Sequence, residues 1–194
     1  MDSLLQIFAI IVGIGQYSNT GLPRFDHPVT NAKNLARFLI HDLRVPEDHV
    51  KELYDGDATK DAILGAIAKI PENAKFKPGY ALLFFFSGLA GRAGPDVGMI
   101  CPSDIDPKAR QAGISDSTLI RLFDQISRSY GNNIVSVISP FCSFAFETFS
   151  RQFFSTATPT FFIGTIPVLS LLSPRRMPPK PKAEDRLQSH LSTY

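Results

Sequence analysis

The sequence predicts an α/β fold with a mostly parallel sheet flanked by helices, and three observations support this prediction. Apolar runs that suit buried strands alternate with segments whose apolar residues recur every three to four positions, as in amphipathic helices. Residues 81–86 are apolar throughout and stop at Ser87-Gly88, as expected for a central strand that helices cover on both faces. Because alternating strands and helices are joined by crossover connections, the strands should run mostly parallel.

The predicted elements follow one another from residue 7 onward. The strands cover residues 7–14, 50–54, 81–86 and 134–138, and the apolar stripes of the helices cover residues 32–43, 63–70 and 119–130. Pro28 suits the first helical turn, and Gly131 suits the end of the last helix. The Gly- and Pro-containing segment 88–107 is predicted to be a flexible loop. The N-cap candidates are Asp26 or Thr30, Thr59, and Ser115 or Asp116, for the three helices in turn.

Length, net charge and cysteine content indicate what class of protein this is. The 194 residues suit one domain with a substantial core, and the net charge of +2 gives no reason to expect nucleic acid or a membrane as partner. The apolar residues 4–14 follow a start without Lys or Arg, so a buried strand is a better prediction than a signal peptide. The two cysteines, Cys101 and Cys142, form no disulfide framework, and we expect a cytoplasmic protein.

The composition changes after Val135. Fifteen of the eighteen acidic residues lie in residues 1–135, and Glu147 is the only one in residues 136–183. We therefore expect an α/β domain over residues 1–140 that is incomplete or diverged after its fourth strand. A diverged Phe-rich segment follows over residues 141–172, where residues 161–172 are a candidate strand. Residues 173–194 form a basic, Pro-rich tail that is predicted to be disordered.

Several short stretches between residues 7 and 135 resemble, in the same order, the caspase-type cysteine endopeptidases, and most of all the metacaspase-like domains of fungi. These stretches are Gly13-Ile14-Gly15, PVTNA at residues 28–32, Ala58-Thr59, FFFSG at residues 84–88 and MICPSD at residues 99–104. The resemblance implies a caspase-like sheet and an endopeptidase that needs neither a cofactor nor a metal.

The resemblance also implies two catalytic groups. In the family, a His in an S-G-H-G loop after the third strand acts as base, and a Cys in a D-x-C-H-S-G loop after the fourth strand acts as nucleophile. The imidazole is needed because a thiol is only partly ionised near neutral pH. In this chain Leu89 stands at the base position and Phe141 at the nucleophile position, with Cys142 one residue further on. His27 or His49 could replace the base only if the fold brought it to this loop.

The family's preference for basic residues before the cleaved bond depends on two acidic side chains in the specificity pocket. The corresponding positions here hold Asn31 and Ser139. A pocket without either carboxylate should bind Arg or Lys poorly, because a buried guanidinium needs a paired carboxylate. Four functional positions are therefore altered together, which indicates loss of the activity.

Three functions remain open. The first is an inactive caspase-like domain that acts as a decoy or pairs with a caspase-like homologue through a sheet edge. If the segment after Val135 has a different origin, the Cys142 match is accidental and the chain is a truncated caspase-like fragment. The second is an active cysteine endopeptidase that uses Cys142 as a displaced nucleophile and cleaves a polypeptide substrate. The third is a small α/β module that binds an anion or nucleotide at its Gly loops.

Other motifs favour structural roles. Gly88, Gly91 and Gly94 are spaced like a phosphate loop, but Pro95 and no helix follow, so a loop is the better interpretation. Asp104 and Asp106 lack the further ligands that a metal site requires, and no metal is predicted. Cys101 is interpreted as a packing residue at a strand end. Asp55 and Asp57 flank Gly56 and are interpreted as turn residues.

Overall fold

The structure, a computed structural model, describes residues 6–18, 21–94, 97–106, 113–140 and 161–163, with only the backbone described at 93–94 and 161–163. The strands are β1 (Ile7–Gly13), β2 (Val50–Tyr54), β3 (Ala81–Gly88), β4 (Ala90–Gly94), β5 (Val97–Ile100), β6 (Ile114–Ser115), β7 (Ile134–Pro140) and β8 (Phe161–Ile163). The α-helices are α1 (His27–Arg37), α2 (Lys60–Ala68) and α3 (Asp116–Tyr130). Within the described ranges, no helix is long and apolar enough to cross a membrane.

Five strands form the main sheet in the order β2-β1-β3-β7-β8, and every neighbouring pair is parallel. The predicted central strand is confirmed, because β3 pairs with β1 from Ile7 opposite Ala81 to Gly13 opposite Ser87, and with β7 on its other side. All these strands end at the same edge, which we call the carboxyl edge. The opposite edge is called the amino edge.

Helices cover both faces of the sheet, as the apolar run of β3 predicts. Phe84 and Phe86 point to one face, where they share a buried cluster with residues of α2 and α3 such as Ile63 and Phe123. Phe85 points to the other face, where it shares a cluster with residues of α1. The chain thus folds as three layers, and this confirms the predicted fold class.

The predicted helix caps are confirmed for α2 and α3. The Thr59 hydroxyl accepts a hydrogen bond from the Ala62 nitrogen at 3.2 Å, and the Ser115 hydroxyl accepts one from the Thr118 nitrogen at 3.2 Å. Gly131 follows α3 with a φ of +102°, a conformation that glycine adopts without strain. Asp26 precedes α1, but its side chain makes no capping hydrogen bond.

The apolar stripe of the first helix continues beyond the α-helix itself. The helix α1 ends at Arg37 and a π-helical segment follows over Phe38–Asp42. The Leu43 nitrogen donates to the Phe38 carbonyl at 3.0 Å, which is the wider hydrogen-bond spacing of a π-helix. Leu39 therefore stays buried in the same cluster as Ala32 and Ala36.

The prediction of a flexible loop after β3 is wrong for most of that segment. The strands β4, β5 and β6 form a second, antiparallel sheet in that order. A strand is predicted from the alternation of apolar and polar side chains, and this alternation is interrupted here because Gly91 and Gly98 have no side chain. The hairpin is stabilised by a contact with α3, because the Gly98 nitrogen donates a hydrogen bond to the buried Asp116 carboxylate at 3.1 Å.

The candidate strand at residues 161–172 is confirmed over Phe161–Ile163, which pairs with β7 from Ser136 to Ile138. This short fifth strand extends the sheet beyond the fourth strand, after which the sequence predicted an incomplete or diverged fold. The remainder of the Phe-rich segment and the Pro-rich tail lie outside the described residues. The division of the chain at residues 140 and 172 stays a prediction.

Candidate functional site

Three of the positions at which the resemblance implies a functional group, Leu89, Ser139 and Asn31, lie at or near the carboxyl edge. Leu89 directly follows β3, Ser139 lies near the end of β7, and Asn31 belongs to α1, which packs over β1 and β3. In open α/β sheets this edge is where binding and catalytic residues gather. The carboxyl edge is therefore the candidate site.

Leu89, which the sequence resemblance places at the base position, is buried with only 8% of its surface exposed. Its side chain forms an apolar cluster with Cys101 and Ile105, against which Tyr17 and Met99 also pack. Burying a leucine side chain in this way is worth about 1.5–3 kcal/mol relative to leaving it exposed. The residue at this predicted base position is thus a packing residue.

Both backbone groups of Leu89 are also engaged. Its nitrogen donates to the Tyr17 hydroxyl at 2.6 Å, and its carbonyl accepts from the Cys101 nitrogen at 2.9 Å. Burial is the main reason why the pKa of Tyr17 is raised, and the Leu89 hydrogen bond only partly opposes it. The Tyr17 hydroxyl therefore stays protonated near neutral pH and offers no base to the site.

The loop after β1 is tied to the loop after β2 by one carboxylate. Oδ1 of Asp55 accepts hydrogen bonds from the backbone nitrogens of Gly15, at 2.8 Å, and Gln16, at 2.9 Å. Asp55 has a φ of +43°, which an Asp tolerates better than most residues. Its predicted role as a turn residue is confirmed, but its bridge to the first loop was not predicted. The two nitrogens that a phosphate would need at this turn already bind an internal anion.

Asn31 and Ser139, the two predicted pocket positions, lie on the same face of the sheet. Asn31 precedes Leu35 by four residues and so shares its helix face, and Leu35, Leu83 and Val137 all pack against the same buried cluster. Ser139 follows Val137 by two residues and therefore points the same way. Ser139 also lies opposite Ser87 in the sheet register, and the Ser87 hydroxyl is buried without a hydrogen-bond partner among the described residues. These three positions carry polar but uncharged side chains.

Of the two histidines considered as replacement bases, His49 lies at the wrong end of the sheet. Its ring stacks on Phe8 at a centroid distance of 4.0 Å, and Phe8 pairs with Leu82. Gly88 is six residues further along β3, or about 20 Å at the usual rise of a strand. His27 begins α1, near the carboxyl end of β1, and its side chain is exposed.

Some of the other residues singled out in the sequence lie outside the described part of the chain, and the rest have structural roles. Phe141 and Cys142 lie outside the described residues, so the nucleophile position stays a prediction. Cys101 is buried beside Leu89, as expected of a packing residue. Oδ1 of Asp104 accepts from the Lys60 nitrogen at 2.8 Å and so caps α2. In the ranges given above, no group of three or more His, Cys, Asp or Glu residues could hold a metal ion.

No family model matches the sequence, and no curated protein matches it. Solved structures do match its fold. The Drosophila initiator caspase Dronc is 12% identical with a TM-score of 0.52, over 71% of this chain and 49% of its own. Protein GSU0716 from Geobacter sulfurreducens is 16% identical with a TM-score of 0.51, over 68% of this chain and 48% of its own.

The chain has a caspase-like fold. At these identities the similarity establishes the fold alone, and the chain spans about half the length of each of these structures. The parallel order of the sheet brings Leu89 and Ser139 to one edge, and α1, which carries Asn31, packs over the same strands. Sequence reasoning missed the hydrogen bonds by which Tyr17 and Asp55 hold the loops at this edge together. Their sequence signal was weak, because Tyr17 lies three residues after the predicted first strand and Asp55, which directly follows the second, is of a type common in turns.

Proposed function

We propose that this chain is a catalytically inactive, metacaspase-like domain that acts by binding another protein. The observation that supports it most strongly is the burial of Leu89 in an apolar cluster at the position of the family base. A cysteine endopeptidase needs a proton acceptor beside its thiol, and leucine has no atom that accepts a proton. The site has thus been converted from a reactive loop into a packed junction.

The neutral pocket positions support the same proposal. Asn31 and Ser139 replace the two acidic groups that would hold a basic side chain of a substrate. A buried guanidinium without a paired carboxylate is strongly unfavourable, so this pocket has lost its affinity for Arg and Lys. A domain that has lost both the catalytic base and the acidic specificity pocket can no longer catalyse peptide cleavage.

Binding takes place at the edge of the main sheet that β2 forms. This five-residue strand pairs with β1 on one side, and among the described residues no strand pairs with its other side. An extended segment can add to such an edge through backbone hydrogen bonds. The exposed Lys51 and Glu52 place charges on the edge, which limits indiscriminate pairing and favours a specific partner. The partner is a caspase-like homologue.

The inactivity is tested with the purified full chain and fluorogenic peptides that carry Arg, Lys, Asp or Gln before the scissile bond. The chain has only two cysteines, so Cys142→Ala is compared with the matched variant Cys101→Ala. We expect no thiol-dependent cleavage by any of the three proteins. Cleavage by the wild type that Cys142→Ala abolishes and Cys101→Ala retains would instead establish an active peptidase.

The binding is tested by measuring the affinity of the chain for an active caspase-like homologue, with proline placed in β2. Neighbouring backbone nitrogens of a strand face opposite edges, so either Lys51→Pro or Glu52→Pro removes an outward donor and keeps the β1 pairing. We expect the variant that remains folded to lose binding, while Lys51→Ala and Glu52→Ala keep it. Undiminished binding by the folded proline variant would contradict the proposed edge.

A further inference from the structure

A cavity of about 330 Å³ opens at the amino edge of the sheet, at the opposite end from the candidate site. It lies between the first residues of β1 and β2, the turn before β2 and the end of α2. Its volume falls at the lower end of the range of about 300–1,000 Å³ in which small-molecule sites occur. The lining residues include Phe8, His49, Lys51, Ala66, Lys69 and Ile70.

The cavity combines an apolar floor with a cationic rim. Phe8 and Ile70, both buried, supply apolar surface, and the exposed Lys51 and Lys69 supply two positive charges. Asp48 also lines the cavity, but its carboxylate forms an ion pair with Lys75. Because that pair is neutral as a whole, the two lysines leave the lining with an excess of positive charge.

One wall of the cavity is fixed by contacts between aromatic rings. The His49 ring stacks on Phe8 at 4.0 Å with an angle of 18° between the rings, and Phe8 is itself held by an edge contact with Phe76 at 5.2 Å. The stacked rings therefore give the cavity a rigid apolar wall.

We propose that this cavity is a binding site for a small organic anion, that is, an oxyanion group attached to a flat apolar body. The apolar body packs against Phe8 and the stacked His49 ring. The oxyanion accepts charge-assisted hydrogen bonds from Lys51 and Lys69. The site lies about 20 Å from Leu89 along the strands, so it does not depend on the proposed loss of peptidase activity.

The test uses phenyl phosphate as probe and the full chain, with binding measured by isothermal titration calorimetry. We expect saturable binding that Lys51→Gln/Lys69→Gln weakens by about tenfold or more, as the loss of charge-assisted hydrogen bonds predicts. The matched control is Lys33→Gln, because Lys33 lies on α1, on the other face of the sheet, and should leave the affinity unchanged. Inorganic phosphate and benzyl alcohol should each bind more weakly than the probe, because phosphate lacks the apolar ring and benzyl alcohol lacks the oxyanion.

Nuclear magnetic resonance of the wild-type protein keeps the proposal testable if the double variant fails to fold. Addition of phenyl phosphate should shift the ring signals of His49 and the amide signals of Lys69 and Asn73, and leave those of Gly15 and Leu89 in place. Three results would overturn the proposal. They are the absence of saturation, an affinity equal to that for inorganic phosphate, and shifts confined to the carboxyl edge.

Discussion

The hydroxyl oxygen of Tyr17 lies 2.6 Å from the backbone nitrogen of Leu89 and accepts its hydrogen bond. Seventy-two positions separate the two residues in the chain. The bond joins the loop after β1 to the residue that follows β3 at the carboxyl edge. It shows how this edge is held together by buried contacts between loops.

Replacing Tyr17 by phenylalanine removes this acceptor and leaves a partly buried backbone nitrogen without a partner. We expect Tyr17→Phe to lower the free energy of unfolding by about 1–3 kcal/mol, measured by urea denaturation. Tyr130→Phe is the control, because the Tyr130 hydroxyl donates to the exposed Pro71 carbonyl at 2.8 Å and water can replace it there. An equal decrease in the free energy of unfolding of the two variants would mean that the Tyr17 hydrogen bond contributes no more than an exposed one.

Burial of Tyr17 also predicts an alkaline limit to stability. The pKa of Tyr17 is raised in the folded protein, whereas in the unfolded chain it lies near 10. Above about pH 10 the unfolded state therefore releases a proton that the folded state keeps, and stability falls as the pH rises. In Tyr17→Phe this fall should be shallower, as measured by thermal unfolding between pH 8 and pH 11. Tyr54, whose pKa burial also raises, contributes equally in both proteins.

The Asp55 carboxylate should matter more than its neighbour Asp57. Asp55→Asn keeps the shape but weakens two charge-assisted hydrogen bonds to Gly15 and Gln16, and we expect a loss of about 1–2 kcal/mol. Asp57→Asn has the same chemistry two positions on, and should stay within about 0.5 kcal/mol of the wild type. Chemical denaturation of both variants measures the difference. A larger effect at Asp57 would refute the bridging role of Asp55.

Glycine at position 13 permits a close helix–sheet contact. A Cβ at Gly13 would lie 2.7 Å from the Ala32 Cβ and 2.9 Å from the Pro28 carbonyl oxygen. We expect Gly13→Ala to cost about 1–3 kcal/mol through overpacking. Gly65→Ala is the matched control, because a Cβ at this position of α2 meets nothing within 4 Å and the helix should gain about 0.5–1 kcal/mol. Calorimetric melting should move the two variants in opposite directions.

Long patterns with strong local signals could be predicted from the sequence. The run that forms β3, the apolar stripe of α3 and the caps Thr59 and Ser115 each depend on residues close together in the chain, so their physics is local. The hairpin of β4 and β5 could not be predicted in this way. Its glycines carry no side chain to show an alternating pattern, and it is anchored by Asp116, eighteen positions away from Gly98.

The sequence by itself determined the α/β fold class, the position of the central strand and the absence of a histidine at Leu89. These depend on residue type and on spacing along one element. Only the tertiary structure decided that Leu89 is buried and that Asp55 holds the first loop. It also placed His49 at the far edge, beside a cavity that two lysines line. Those facts depend on which loops meet across the sheet, and contacts between distant residues leave no periodic signal in the chain.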